Sequence, residues 1–137
     1  MIKKTLPEID KIQETLQEFF KKREEILFSF LFGSIPNNKT TGVSDIDIAV
    51  MVDYNRIDGS NYRYGYKAEL ISELISLLSF NDIDLIILND APILLKHRIA
   101  RFGKLIYSKD DRMSLEFQVK ALEQYLDFHP LNILQRD

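Results

Sequence analysis

The sequence predicts an α/β (α+β) fold, a small mixed sheet of three to four strands flanked by about four to five helices. Three observations carry that expectation. Four apolar runs, ILFSFLF, DIDIAVMV, DIDLIIL and KLIY, have strand length. Segments with helical spacing of apolar residues separate most of them. Across 137 residues there is neither an internal repeat nor a linker-like stretch, so 1–137 reads as a single domain.

The elements follow in chain order. Thr5-Leu6-Pro7-Glu8 has capping-box spacing with proline in the first turn. Ile9, Ile12, Leu16, Phe19 and Phe20 recur at helical intervals. These predict a first helix from about Leu6 to Glu24. Ile26–Phe32 has too little polar character for a surface strand and reads as buried, with Gly33 ending it. IPNNKTTGV is loop-like, with room for one helical turn, and Asp45–Val52 is the second strand. DYNRIDGSNYRYGY is a polar, tyrosine-rich connection. Leu70, Leu74, Leu77 and Leu78 mark a helix ending near Phe80, and Asp82–Leu88 is the third strand. Pro92 opens another helix that Gly103 stops, and KLIY is a fourth, short strand. Leu115, Val119, Leu122 and Leu126 give a last helix ending before Pro130. Strand order and direction stay open at this level.

Composition narrows the function classes. The 45% hydrophobic content supports a real core and excludes a disordered chain. No apolar run reaches the roughly 18 residues of a membrane span. MIKKTLPEID carries two lysines without an apolar signal core behind them. There are no cysteines, which excludes disulfides and thiolate metal sites and suits a reducing, cytoplasmic setting. Any metal is therefore held by oxygen ligands or by His97 and His129. The net charge of −3, with scattered basic residues, argues against a long nucleic acid as main partner.

The chemistry is concentrated in FLFGSIPNNKTTGVSDIDIAV, residues 30–50. Side chains alternate along a strand, so Asp45 and Asp47 share one face. Two ionised carboxylates there repel each other. Protonation of one, solvation of both, or a divalent cation between them would relieve that repulsion. Hard oxygen ligands suit Mg²⁺, which takes one or two protein carboxylates and completes its shell with phosphates and water. Asp82 and Asp84 open the third strand. If that strand lies beside the second, Asp84, inside the apolar run, is favoured over Asp82 at its mouth as the third ligand. Three converging carboxylates suit two ions about 3.5–4 Å apart, a spacing used for in-line phosphoryl displacement. Gly33 lets a phosphate approach the backbone, and the N–H groups after it and the Ser34 hydroxyl are donors to phosphate oxygens.

These residues resemble the DNA polymerase β-like nucleotidyltransferase superfamily. Gly33-Ser34, ten intervening residues, Asp45-Ile46-Asp47 and a third strand aspartate, Asp84, make up its signature. The short chain and the stretch APILLKHRIARFGKLIYSKDD resemble the minimal nucleotidyltransferases of prokaryotic toxin–antitoxin pairs. The resemblance spans roughly Ile26 to Asp111. It implies a nucleotidyltransferase fold, ATP with two Mg²⁺ ions, and transfer of AMP to a hydroxyl with release of pyrophosphate. It further implies metal ligation by Asp45, Asp47 and Asp84, with Asp84 helping to deprotonate the attacking hydroxyl, and nucleotide binding by Gly33, Ser34, Asp45 and Asp47. In the antitoxin branch the acceptor is a tyrosine on a HEPN ribonuclease toxin, which the added AMP silences. Many relatives continue Gly-Ser with Ala-Arg-Gly; here Asn37 and Asn38 stand in that region, and Lys39 supplies the nearby point charge. Neither His97 nor His129 follows an arginine at four to seven positions, so the chain is not the toxin half.

Two rival functions are a catalytically weak module that neutralises a toxin by covering it, and a small-molecule nucleotidyltransferase of the aminoglycoside type. The remaining features read more plainly. His97 among Lys96, Arg98 and Arg101 reads as a structural or solvated histidine on a basic helix surface. Tyr54, Tyr62, Tyr64 and Tyr66, with Arg56 and Arg63, suit either an interface or rings packed back on the core. FHPLNILQRD is apolar for a tail.

Overall fold

In the computed structural model of the chain, residues 9–32, 46–57 and 62–128 are described. Four helices and four strands run in the order α1 (Ile9–Lys21), β1 (Ile26–Phe32), β2 (Ile46–Val52), α2 (Tyr62–Leu78), β3 (Ile83–Ile87), α3 (Ile93–Phe102), β4 (Lys104–Ser108) and α4 (Asp111–Phe128). Single 3₁₀ turns cover Tyr54–Arg56 and Leu88–Asp90. The sheet order is β3-β2-β1-β4. β1 is antiparallel to both β2 and β4, whereas β2 and β3 are parallel. Parallel neighbours need a long crossover, and α2 supplies it. The expected α+β fold with a mixed sheet is the observed one.

Strand alternation feeds two cores. Ile46, Ile48, Val50 and Val52 of β2 point to one face and pack with Ile12, Leu16 and Phe20 of α1 and Tyr66, Leu70, Leu74 and Leu78 of α2. Ala49 and Met51 point to the other face, where Phe28 and Phe30 meet Leu95 and Ile99 of α3 and Phe117 of α4. Both central strands are thus covered twice, which is why ILFSFLF shows no polar alternation. A register shift between Ile26 and Phe28 lets Ile26 join the first core while Leu27 and Phe28 both join the second.

Several boundaries differ from the sequence expectation, each for a local reason. α1 ends at Lys21, three residues before Glu24. Its last turn tightens, with the N–H groups of Lys22 and Arg23 donating to the carbonyls of Phe19 and Phe20 at 3.3 and 3.0 Å. That turn frees Arg23 and Glu25 for an ion pair at 2.8 Å and delivers Ile26 to the sheet. The expected start at Leu6 lies outside the described residues. α2 begins at Tyr62, so part of the tyrosine-rich connection is helical. Tyr66 then continues the Leu70, Leu74, Leu78 row and is buried. α2 ends on Ser79 at φ 51°, with Phe80 N–H donating to Ile75 C=O at 3.4 Å. This is a left-handed cap built without glycine. Gly103 does end α3, yet in extended backbone (φ −76°, ψ 162°). A Cβ there would lie 2.6 Å from the Ile99 carbonyl oxygen, so close approach rather than a left-handed turn demands glycine.

Candidate active site

The parallel register of β2 and β3 pairs Asp47 with Asp84. Register partners on adjacent strands share a face, with backbones about 4.8 Å apart. Asp47 has the parity of Ala49 and Met51, and Asp84 that of Ile86, so both carboxylates belong to the α3/α4 face. Asp47 is buried and Asp84 exposed. The pair stands where β2 and β3 begin. Phe32, the last residue of β1, is the register partner of Asp47 on its other side. β1 therefore ends beside Asp47.

Apolar residues place the pair. β2 is buried along nearly its whole length because helices cover both faces, and that fixes which side Asp47 occupies. A slip of one residue would send Ile46 and Ile48 to the wrong core. The N–H of Ile46 donates to the carbonyl of Asp82 at 3.2 Å, carrying the ladder to the start of both strands. At the opposite end of β2 the Asn89 side chain clamps Val52, donating to its carbonyl at 2.7 Å and accepting from its N–H at 3.0 Å.

Two carboxylates at paired register positions on one face form a hard-oxygen donor pair of the kind Mg²⁺ takes. The donor chemistry fits Mg²⁺. Among the described residues no set of three metal-ligating side chains comes together. Asp45, Gly33, Ser34 and Lys39, the other residues expected at the site, lie outside the described residues. So do His129 and the stretch after Phe128.

The tyrosine-rich region separates. Tyr66 belongs to the core: its hydroxyl donates to Glu25 Oε2 at 2.8 Å, beside Arg23, which reaches Glu25 and Glu73 at 2.8 and 2.9 Å. Desolvation works against the Glu25 carboxylate, but hydrogen bonds from Tyr66 and Arg23 hold its pKa below the ordinary value. Desolvation by burial and the same carboxylate push the Tyr66 hydroxyl far up. This network ties the turn between α1 and β1 to α2 on the face opposite Asp47 and is structural.

On the carboxylates' own side of the sheet, α3 and α4 border an open cavity of about 240 Å³ lined by His97, Ala100, Arg101, Gln118 and Leu122. The His97 ring stacks on Tyr125 at 3.7 Å and 5°, and its buried Nε2 has no hydrogen-bond partner among the described residues. That matches a structural histidine. Gln118 and Leu122 carried no sequence signal for a site; the one available was a polar residue set beside the apolar row of α4.

The polymerase beta nucleotidyltransferase family profile matches residues 14–112. No curated protein sequence matches the chain. Solved structures do. A toxin–antitoxin structure with AMP-PNP aligns at a TM-score of 0.63 and 25% identity, over 90% of this chain and 96% of that one. A toxin–antitoxin MntA–HepT mutant aligns at 0.61 and 24%, over 96% and 98%. A chain of the tri-AMPylated Shewanella oneidensis HEPN toxin in complex with MNT antitoxin aligns at 0.60 and 23%, over 93% and 96%. With residues 14–112, well over half of the chain, matched by this family's profile, the chain belongs to the polymerase β nucleotidyltransferases.

Proposed function

We propose that this chain is a single-domain, cytoplasmic antitoxin that transfers AMP from ATP to a tyrosine hydroxyl of a cognate HEPN ribonuclease toxin. The carrying observation is the register pairing of Asp47 with Asp84 on one sheet face. The similar structures, one with AMP-PNP and one with a tri-AMPylated HEPN toxin, support the choice of nucleotide and acceptor. Asp45, Asp47 and Asp84 would hold two Mg²⁺ ions, and Gly33, Ser34 and Lys39 would bind the ATP phosphates. Bound Mg²⁺ supplies neutralisation of phosphate charge and orientation of the reacting oxygens. The tyrosine oxygen bonds to the α-phosphorus, the bond from that phosphorus to the β-phosphate bridging oxygen breaks, and pyrophosphate leaves. Asp84, the exposed member of the pair, accepts the tyrosine proton.

Incubation with α-labelled ATP, Mg²⁺ and the HEPN toxin encoded beside this gene tests the reading. Label should appear on the toxin, and an Asp45→Asn, Asp47→Asn double variant should leave it unlabelled. A tight toxin complex without label would replace the reading with neutralisation by binding alone.

A further inference from the structure

The apolar row of α4 faces outward. Leu115, Val119, Leu122 and Leu126 are 59%, 48%, 46% and 48% exposed, while Ser114 and Ala121 are buried. Intervals of four, three and four residues are those of a helix–helix seam, with Val119 and Leu126 at one seam position and Leu115 and Leu122 at the other. On one side the row descends through Leu122 and Gln118 into the cavity against α3, whose far wall carries Arg101. On the other side lie Glu116, Glu123 and Asp127, interspersed with Arg112 and Lys120. Among the described residues Arg101, Glu123 and Asp127 form no ion pair.

We propose that this groove receives an amphipathic helix of the acceptor protein, apolar along one face, acidic on the edge toward Arg101 and basic on the edge toward Glu123 and Asp127. The inference rests on the transferase reading above and adds where the acceptor docks. Position supports it. α3 lies on the same sheet face as Asp47, and its Arg101 end leads through Gly103 into Lys104, the register partner of Leu31. Leu31 adjoins Phe32, which pairs with Asp47. A helix in the groove therefore rests at the carboxylate end of the sheet, where its protein can present a hydroxyl. Charge argues against a second copy. Two α4 helices packed antiparallel through this row would set Glu116 of each against Glu123 of the other, and packed parallel would oppose Glu116 to Asp111.

The test uses the full chain and the purified HEPN toxin. A Val119→Asp, Leu122→Asp double variant should lose at least about 100-fold in toxin affinity, since seam residues at an interface centre dominate binding. Glu123→Lys with Asp127→Lys should lose about three- to tenfold, more at low salt. Melting temperature and Mg-ATP affinity should match wild type in both. Toxin affinity of the first variant within threefold of wild type, or failure of the wild-type chain to bind the toxin, overturns the proposal. So does a wild-type dimer that the variant converts to monomer, which assigns the groove to a second copy. Loss of the variant's effect once residues 129–137 are removed assigns it to the chain's own tail, with the same consequence. Docking that depends on the row, without AMP transfer by wild type, upholds this inference and overturns the transferase reading instead.

Discussion

Asn89 and Glu25 carry more of the architecture than their polarity suggests. Asn89 closes both backbone groups of Val52, completing β2 beyond the last register pair with β3, Val50 and Ile87. Asn89→Ala leaves those groups unpaired in a half-buried setting. Urea unfolding should show a loss of about 1–3 kcal/mol. Glu25 titrates lower in the folded chain than in the unfolded one. Its contribution is therefore complete above the unfolded value and is lost as pH falls through the lower folded value. Unfolding from pH 6 to pH 3 should show a steeper loss of stability for wild type than for Glu25→Gln. Equal slopes would remove the network from the account. Asp47 and Asp84 were legible from the sequence as carboxylates inside apolar strands, because charge in a strand needs a reason. Tyr66 was not separable from Tyr54, Tyr62 and Tyr64 by residue type; its four-residue interval to Leu70 was the usable signal.

Helix ends show where element prediction loses its footing. Ser79 holds a left-handed conformation that costs a non-glycine residue roughly 1 kcal/mol. Ser79→Gly should therefore raise stability by about 0.5–1 kcal/mol in thermal or urea unfolding, and a loss would mean the serine side chain matters there. Gly103 behaves in the opposite way to the usual glycine cap. Gly103→Ala forces its Cβ against the Ile99 carbonyl and should cost about 1–3 kcal/mol. α4 is the instructive case. Its periodicity located the helix, since Leu115, Val119, Leu122 and Leu126 do share a stripe. Periodicity alone does not say what covers a stripe. Small residues, Ser114 and Ala121, let α4 approach the sheet, and Phe117 reaches Phe28 and Phe30 at ring distances of 5.3 and 5.8 Å. The leucines of the stripe stay exposed.

At the scale of the whole molecule, two layers of helices fix a four-stranded sheet so that one register brings two acidic residues together. No helix among the described residues is long and apolar enough to cross a membrane. Strand identity was readable from apolar runs, and the alternation of strands with helices gave the fold class. Strand order was not readable, because it depends on which apolar faces meet across distant segments. The consequence of that order, Asp84 beside Asp47 rather than Asp82, is the claim everything else leans on. Single-turnover AMP transfer to the toxin by Asp84→Asn and Asp82→Asn variants measures it directly. With Asp84 in the proposed role of metal ligand and proton acceptor, its loss removes several kcal/mol of transition-state stabilisation, so Asp84→Asn should slow transfer by at least about 1,000-fold. Asp82→Asn should stay within about threefold of wild type, as expected of a group that touches neither metal nor acceptor. The reverse ranking, or transfer by Asp84→Asn at the wild-type rate, would contradict the account.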